Sequence, residues 1–104
     1  MTYPDFRRLL LSAGDVPDLT AYIADVGGSV PAADLDLLPA IHQMGQRDLT
    51  IRGIAQACDL SMLALCKHLD ISRRTVGDWA TGQRNPPSWQ LPLIAYAALS
   101  IAAN

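Results

Sequence analysis

One segment constrains the fold of this chain more than any other, the residues from Ser61 to Pro87, which read SMLALCKHLDISRRTVGDWATGQRNPP. A serine opens the segment and can cap a helix, and Leu65 and Leu69 then recur four residues apart on one helical face. Asp70 follows, where the chain needs a turn, and a second amphipathic pattern begins after it. The segment therefore predicts two short helices joined by a tight turn.

The turn and the second helix are specified residue by residue. Aspartate is one of the few residues that tolerate a positive φ, which we expect at Asp70. Ile71 then enters the core and Ser72 caps the second helix. Val76 and Trp79 continue its buried face, so the polar residues between them are expected to face outward.

The residues on both sides of this segment extend the pattern. Gly82 supplies a left-handed helix terminus, and the two prolines that follow at 86 and 87 prevent the helix from continuing. Upstream, IRGIAQACDLS from Ile51 to Ser61 predicts a preceding helix. Taken together, residues 48–103 resemble the Cro and phage-repressor, or Xre, family of lambda-repressor-like helix-turn-helix domains, and WATGQRNPP resembles that family's closing signature.

The resemblance implies an all-α, lambda-repressor-like DNA-binding domain over residues 48–104, whose second motif helix enters the major groove. The positions that would read bases are Ser72, Arg73, Arg74, Gly77 and Asp78. Arginine can donate a bidentate pair to guanine, and an aspartate can accept from cytosine. The alternative for Arg74 is a surface ion pair with Asp78, four residues on. Residues that flank the groove are candidates for phosphate contacts: Lys67, His68, Thr75, Gln83, Arg84 and Asn85.

Charge is distributed unevenly along the chain. The formal net charge is −2 overall, which by itself does not favour a nucleic-acid partner. Residues 1–47 carry six aspartates and three arginines, whereas residues 48–104 carry five Lys/Arg and four aspartates. We therefore expect a basic surface around the motif, although the chain as a whole is slightly acidic.

The first 47 residues are predicted to form a helical extension that serves dimerisation, a partner or core packing. Apolar residues recur at helical spacing in three segments, which end near Gly14, near Gly27 and before Gly45. In the third segment Leu35 and Leu38 are both expected to face the core. The chain is thus expected to be all-helical with about seven helices, and a chain of 104 residues favours a single core.

The last helix is apolar around most of its circumference. Trp89, Leu93 and Tyr96 lie on one stripe, and Ile94 and Leu99 extend the apolar character to the other side. A helix of this kind is buried on two sides. The second covering surface is either another copy of the chain, as in a two-fold homodimer that reads successive major grooves, or the N-terminal helices.

Other functional classes find little support. His42, Cys58, Cys66 and His68 lack the close pairing typical of zinc ligands, and no cofactor, metal or enzymatic activity is expected. The two cysteines are predicted to be buried free thiols. The apolar C-terminal stretch is too short to span a bilayer, and a cytoplasmic location is expected.

Two functions remain open from the sequence. The first is a sequence-specific transcriptional regulator, a repressor that acts on operator DNA and could regulate its own gene. The second keeps the fold but uses it as a protein-interaction module, such as an antitoxin-like partner that docks through the acidic N-terminal helices.

Overall fold

The helices of this protein are seen in a computed structural model that describes residues 1–103. Seven α-helices and two short 3-10 helices occur in these residues, without a strand. The α-helices are α1 (Tyr3–Asp15), α2 (Leu19–Val26), α3 (Leu38–Gly45), α4 (Ile51–Ala57), α5 (Met62–His68), α6 (Arg73–Thr81) and α7 (Gln90–Ala102), and the 3-10 helices are Gly27–Ser29 and Ala32–Leu37. The expectation of an all-helical chain is confirmed for this part of the sequence.

Side-chain caps fix where most of the helices begin. Five of the α-helices are preceded by a residue whose side-chain oxygen accepts a hydrogen bond from a backbone amide of the first turn: Thr2, Asp18, Thr50, Ser61 and Ser72. Each cap satisfies one of the amides that the helix itself leaves unpaired. Short helices of seven to nine residues, such as α4, α5 and α6, depend on such caps and on packing because they are too short to be stable alone.

The chain divides into two compact units, of which the first is Met1–Asp48 and the second begins at Leu49. Each unit has its own buried side chains. In the first unit these side chains come from α1 to α3, which pack against one another.

In the first unit, α1 packs against α3 and α2. Phe6, Tyr22 and Ile41 are fully buried at the centre of the unit. The closest approach of α1 and α3 is at Gly45, where a Cβ atom would lie 2.6 Å from the Cβ of Ala13. A glycine is needed there because a larger residue would separate the two helices.

Buried polar groups in this unit are paired. The Tyr22 hydroxyl donates to the Leu9 carbonyl at 2.8 Å, and Nε2 of His42 lies 2.7 Å from the Val16 carbonyl oxygen. Burial raises the pKa of Tyr22 to about 12. These two rings also contact each other, with centroids 5.0 Å apart.

One expected core residue of the first unit is not buried. Leu38, Ile41 and Met44 are buried as predicted, but the Leu35 side chain is 39% exposed. Residues 32–37 form a 3-10 helix, whose three-residue turn differs from the 3.6-residue α-helical period on which the prediction rests.

In the second unit, α4 packs against α5, α6 and α7. Its core combines Ile54 from α4, Leu65 from α5, Val76 from α6 and Ala98 from α7, all buried. Both cysteines are buried free thiols, as predicted. No helix within residues 1–103 has the length and apolar character required to cross a membrane.

Candidate nucleic-acid interface

The turns that precede α5 and α6 have the same backbone geometry. In the first, Asp59 has φ of 54°, and in the second, Asp70 has φ of 54° as well. The amide after each aspartate donates to a carbonyl five residues back, from Leu60 to Ala55 at 2.8 Å and from Ile71 to Cys66 at 3.1 Å. This hydrogen bond is typical of the Schellman helix terminus, in which the left-handed residue is normally glycine.

The positive φ of Asp70 was predicted, but that of Asp59 was not. The sequence holds a signal that could have found it, since CDLS at residues 58–61 matches LDIS at residues 69–72 in its order of aspartate, aliphatic residue and serine. Each copy ends one helix with the aspartate and caps the next with the serine.

The first turn of α6 is held in place by Ser72. Its Oγ accepts from the Thr75 amide at 3.1 Å and donates to the Thr75 hydroxyl at 2.8 Å. Both hydroxyls are thus already engaged in ordering the helix start. Arg73 and Arg74 follow directly and are exposed, so their guanidinium groups lie at the end of a well-defined helix.

Within residues 1–103, Arg74 does not form the ion pair with Asp78 that the sequence left open as an alternative. The Asp78 side chain is half-buried, and its backbone carbonyl accepts from the Arg84 amide at 3.3 Å. The Arg74 guanidinium therefore remains available for an external acceptor.

The middle of the outer face of α6 is open. Gly77 is exposed, and a Cβ atom built on it would meet nothing within 4 Å. No packing contact requires a glycine at this position. Because Gly77 has no side chain, the surface of α6 is recessed next to Arg73 and Arg74.

The remaining predicted contact residues lie near the two ends of the motif. Lys67 and His68 are exposed in the last turn of α5, and Gln83, Arg84 and Asn85 are exposed after α6. Gly82, the residue directly after α6, has φ of 81° and is the left-handed helix terminus that was predicted. Thr75 is the exception among the candidates, since it is half-buried with its hydroxyl engaged by Ser72.

Two side chains near the end of α6, Trp79 and Arg52, are placed by tertiary packing. Trp79, expected to anchor the core, is half-buried, and it borders two open clefts of the second unit. Arg52 of α4 donates from Nη2 to the Ala80 carbonyl at 3.0 Å, which holds the last turn of α6. The sequence gives no signal for this contact, because it joins residues 28 positions apart.

The second unit is the basic part of the chain. From Leu49 onward there are five Lys/Arg and three aspartates. All five cationic side chains are exposed: Arg52, Lys67, Arg73, Arg74 and Arg84. Exposed guanidinium and ammonium groups in one small domain produce a positive local potential even when the whole chain is slightly acidic.

The described residues offer little for metal or thiol chemistry. Among residues 1–103, no group of three or more His, Cys, Asp or Glu side chains is arranged to hold a metal ion. Burial raises the pKa of the Cys58 thiol to about 11, a direction that disfavours the reactive thiolate.

Comparison with known proteins finds no match to a protein-family model, to a curated protein or to a solved structure.

Proposed function

We propose that this protein is a sequence-specific DNA-binding regulator of the lambda-repressor-like, helix-turn-helix type. In this proposal α6 enters the major groove of operator DNA and the bound protein blocks access of the polymerase to a promoter. The upstream region of its own gene is the first operator to test, and the site of action is the cytoplasm.

The observation that carries this proposal is the pair Arg73 and Arg74. Both are exposed on the first turn of a short helix whose start is fixed by the Ser72 cap. Neither arginine has an ion-pair partner within the described part of the chain. Cations held in this way can donate to guanine O6 and N7, and each good bidentate pair contributes about 1–3 kcal/mol of discrimination.

The flanking residues support the same arrangement. Lys67 and His68 precede the turn, and Gln83, Arg84 and Asn85 follow α6, so donors are available on both sides of the reading helix for phosphate oxygens. Gly77 allows α6 to approach the base edges closely. Asp78, half-buried, is the acceptor that would favour cytosine and disfavour a nearby phosphate.

A homodimer is part of the proposal. The α7 helix carries no charged residue, and Trp89 and Leu93 expose 65% and 44% of their surface. A second copy that covers these side chains would place two α6 helices about one helical repeat apart, roughly 34 Å, on a two-fold symmetric operator.

One observation favours a second function, that of an interaction module. The acidic first unit exposes several large apolar side chains, of which Leu11 is 67% exposed and Leu35 is 39% exposed. An exposed leucine within an acidic surface suits a protein partner with a basic rim around an apolar pocket. An antitoxin-like protein would use this surface and would not depend on Arg73 and Arg74.

The test is fluorescence anisotropy with a labelled duplex from the gene's upstream region and a scrambled duplex of the same composition, at two salt concentrations. A regulator binds the first duplex preferentially and loses affinity as salt rises, because phosphate contacts release counterions. Equal and weak binding to both duplexes overturns the proposal and favours the interaction module.

A further inference from the structure

A small cleft lies beside the proposed reading residues of α6. It has a volume of about 160 Å³ and is bounded by Met62, Leu63 and Cys66 of α5 and by Arg73, Val76, Gly77 and Ala80 of α6. Val76 and Cys66 are buried and form its floor. Leu63 forms one wall and is 57% exposed, so its side chain can be reached from solvent.

The two walls of the cleft belong to faces that carry the proposed DNA contacts. On α5, Leu63 and Lys67 are four residues apart and therefore lie on the same face. On α6, Arg73 and Gly77 share a face for the same reason. The apolar cleft thus opens toward the surface on which an anionic ligand would meet Lys67 and Arg73.

The missing side chain at Gly77 keeps the cleft open. A Cβ atom at this position would contact no described atom within 4 Å, so any larger side chain has room to fill the opening. With glycine, no side chain at position 77 covers the cleft that Arg73 and Leu63 line.

We propose that this cleft binds the 5-methyl group of a thymine next to the guanine read by Arg73, an inference that rests on the proposed DNA-reading function. The major-groove edge of thymine carries an oxygen acceptor and this methyl group, and apolar side chains recognise the methyl. A methyl group, about the size of a water molecule of roughly 30 Å³, fits within the cleft. Leu63 is then a specificity-determining residue, although it lies outside the reading helix.

The experiment begins with selection of preferred duplexes from a random pool by the full-length protein. The best duplex is then made with thymine or with uracil at each thymine position in turn, an exchange that removes only the methyl group. At one thymine beside a guanine, uracil should weaken binding about fourfold, the effect of one buried methyl-sized group. Uracil at other positions should leave the affinity unchanged.

Two variants identify the residue responsible. Leu63→Ala should bind the thymine and uracil duplexes equally, whereas Leu63→Met, which keeps the apolar volume, should retain the preference. Gly77→Leu places a large side chain in the cleft and should also abolish the preference for thymine over uracil. Circular dichroism checks that each variant keeps its helical content.

The outcomes separate this inference from the proposed function. Selection that yields no preferred sequence overturns both. A preferred sequence whose binding is indifferent to every thymine-to-uracil exchange overturns the inference alone. So does a preference for thymine that survives in Leu63→Ala, because the methyl group is then recognised elsewhere.

Discussion

At the scale of single residues, the two left-handed aspartates determine where α4 and α5 end and so orient the helices that follow. Asp59 and Asp70 share the same φ of 54°, a region in which side chains other than glycine are disfavoured by crowding between Cβ and the backbone. Aspartate adopts a positive φ more readily than most residues, but this conformation is still less favourable for aspartate than for glycine. The turn that orients α6 is therefore less stable than a glycine would make it.

Replacing Asp70 by glycine should stabilise the second unit. We expect Asp70→Gly to raise the free energy of unfolding by up to about 1 kcal/mol, reduced in part by the greater freedom of glycine in the unfolded chain. Asp70→Val should lower it, since a β-branched residue is strongly disfavoured at positive φ. Urea denaturation followed by tryptophan fluorescence measures both, because Trp79 and Trp89 lie in this unit. Equal effects of the two substitutions would contradict the assignment.

The Ser72 cap provides a second prediction at this scale. Ser72→Ala removes the acceptor for the Thr75 amide, and we expect a loss of about 1 kcal/mol in the free energy of unfolding. Ser100→Ala is the matched control. Its hydroxyl donates to the Tyr96 carbonyl within α7, and its removal should change stability by less than about 0.5 kcal/mol. If the cap did not stabilise α6, Ser72→Ala and Ser100→Ala would have the same free energy of unfolding.

Residues whose position follows from local chemistry could be predicted from the sequence, and residues placed by tertiary packing could not. The conformations of Asp70 and Gly82 depend on the helix terminus in which each lies, and both were predicted. Arg52 and Leu63 depend on the packing of α4 and α5 against α6, which local spacing does not encode. Trp79 was expected to anchor the core but is half-buried, and it borders two clefts that residues of the loop after α6 and of the start of α7 also line.

At the scale of helices, the sequence pattern identified all the α-helical segments but not every buried face. The assumed period was that of an α-helix, and it fails in residues 32–37, where the 3-10 helix leaves Leu35 exposed. In α7 the buried residues are Ile94, Ala95, Ala98 and Leu99. Trp89 and Leu93 are exposed, and the sequence pattern did not indicate which of the two apolar faces would be the buried one.

The buried thiol of Cys58, at the end of α4, should make the stability of the second unit depend on pH. Burial raises the pKa of Cys58 to about 11 from an ordinary value of about 9. Between these values the unfolded chain loses the thiol proton while the folded chain retains it, so stability is fully present below about pH 9 and falls as pH rises through 11. Urea denaturation by tryptophan fluorescence over this range should give a steeper decline for the wild type than for Cys58→Ala. Parallel declines would contradict the burial of an uncharged thiol.

At the scale of the whole molecule, the proposed homodimer depends on α7. Wild-type protein should sediment with a mass of about 22 kDa, twice the 11.2 kDa of one chain. Leu93→Glu places a charge on the open face and should give a monomer, because an unpaired charge in an apolar interface is costly. Gln56→Glu adds the same charge at an exposed position of α4 and should leave the mass unchanged. Wild-type protein that sediments at the monomer mass would contradict the dimer.

The division of charge between the two units bears on how DNA would be bound. The acidic first unit repels phosphate and the second unit attracts it, so we expect non-specific binding to be weak and affinity to depend on the specific contacts of α6. A test of DNA binding must therefore distinguish the loss of particular arginines from a change in net charge.

The most direct measurement compares two double variants of equal charge in operator binding by fluorescence anisotropy. Arg73→Ala/Arg74→Ala removes the two cations at the start of α6, and Arg7→Ala/Arg47→Ala removes two exposed cations from the first unit. We expect the first variant to lose its preference for the specific duplex over the scrambled one while its circular dichroism stays that of the wild type, and the second to bind as the wild type does. Equal affinities of the two variants for the specific duplex would contradict the assignment of α6 as the helix that reads DNA.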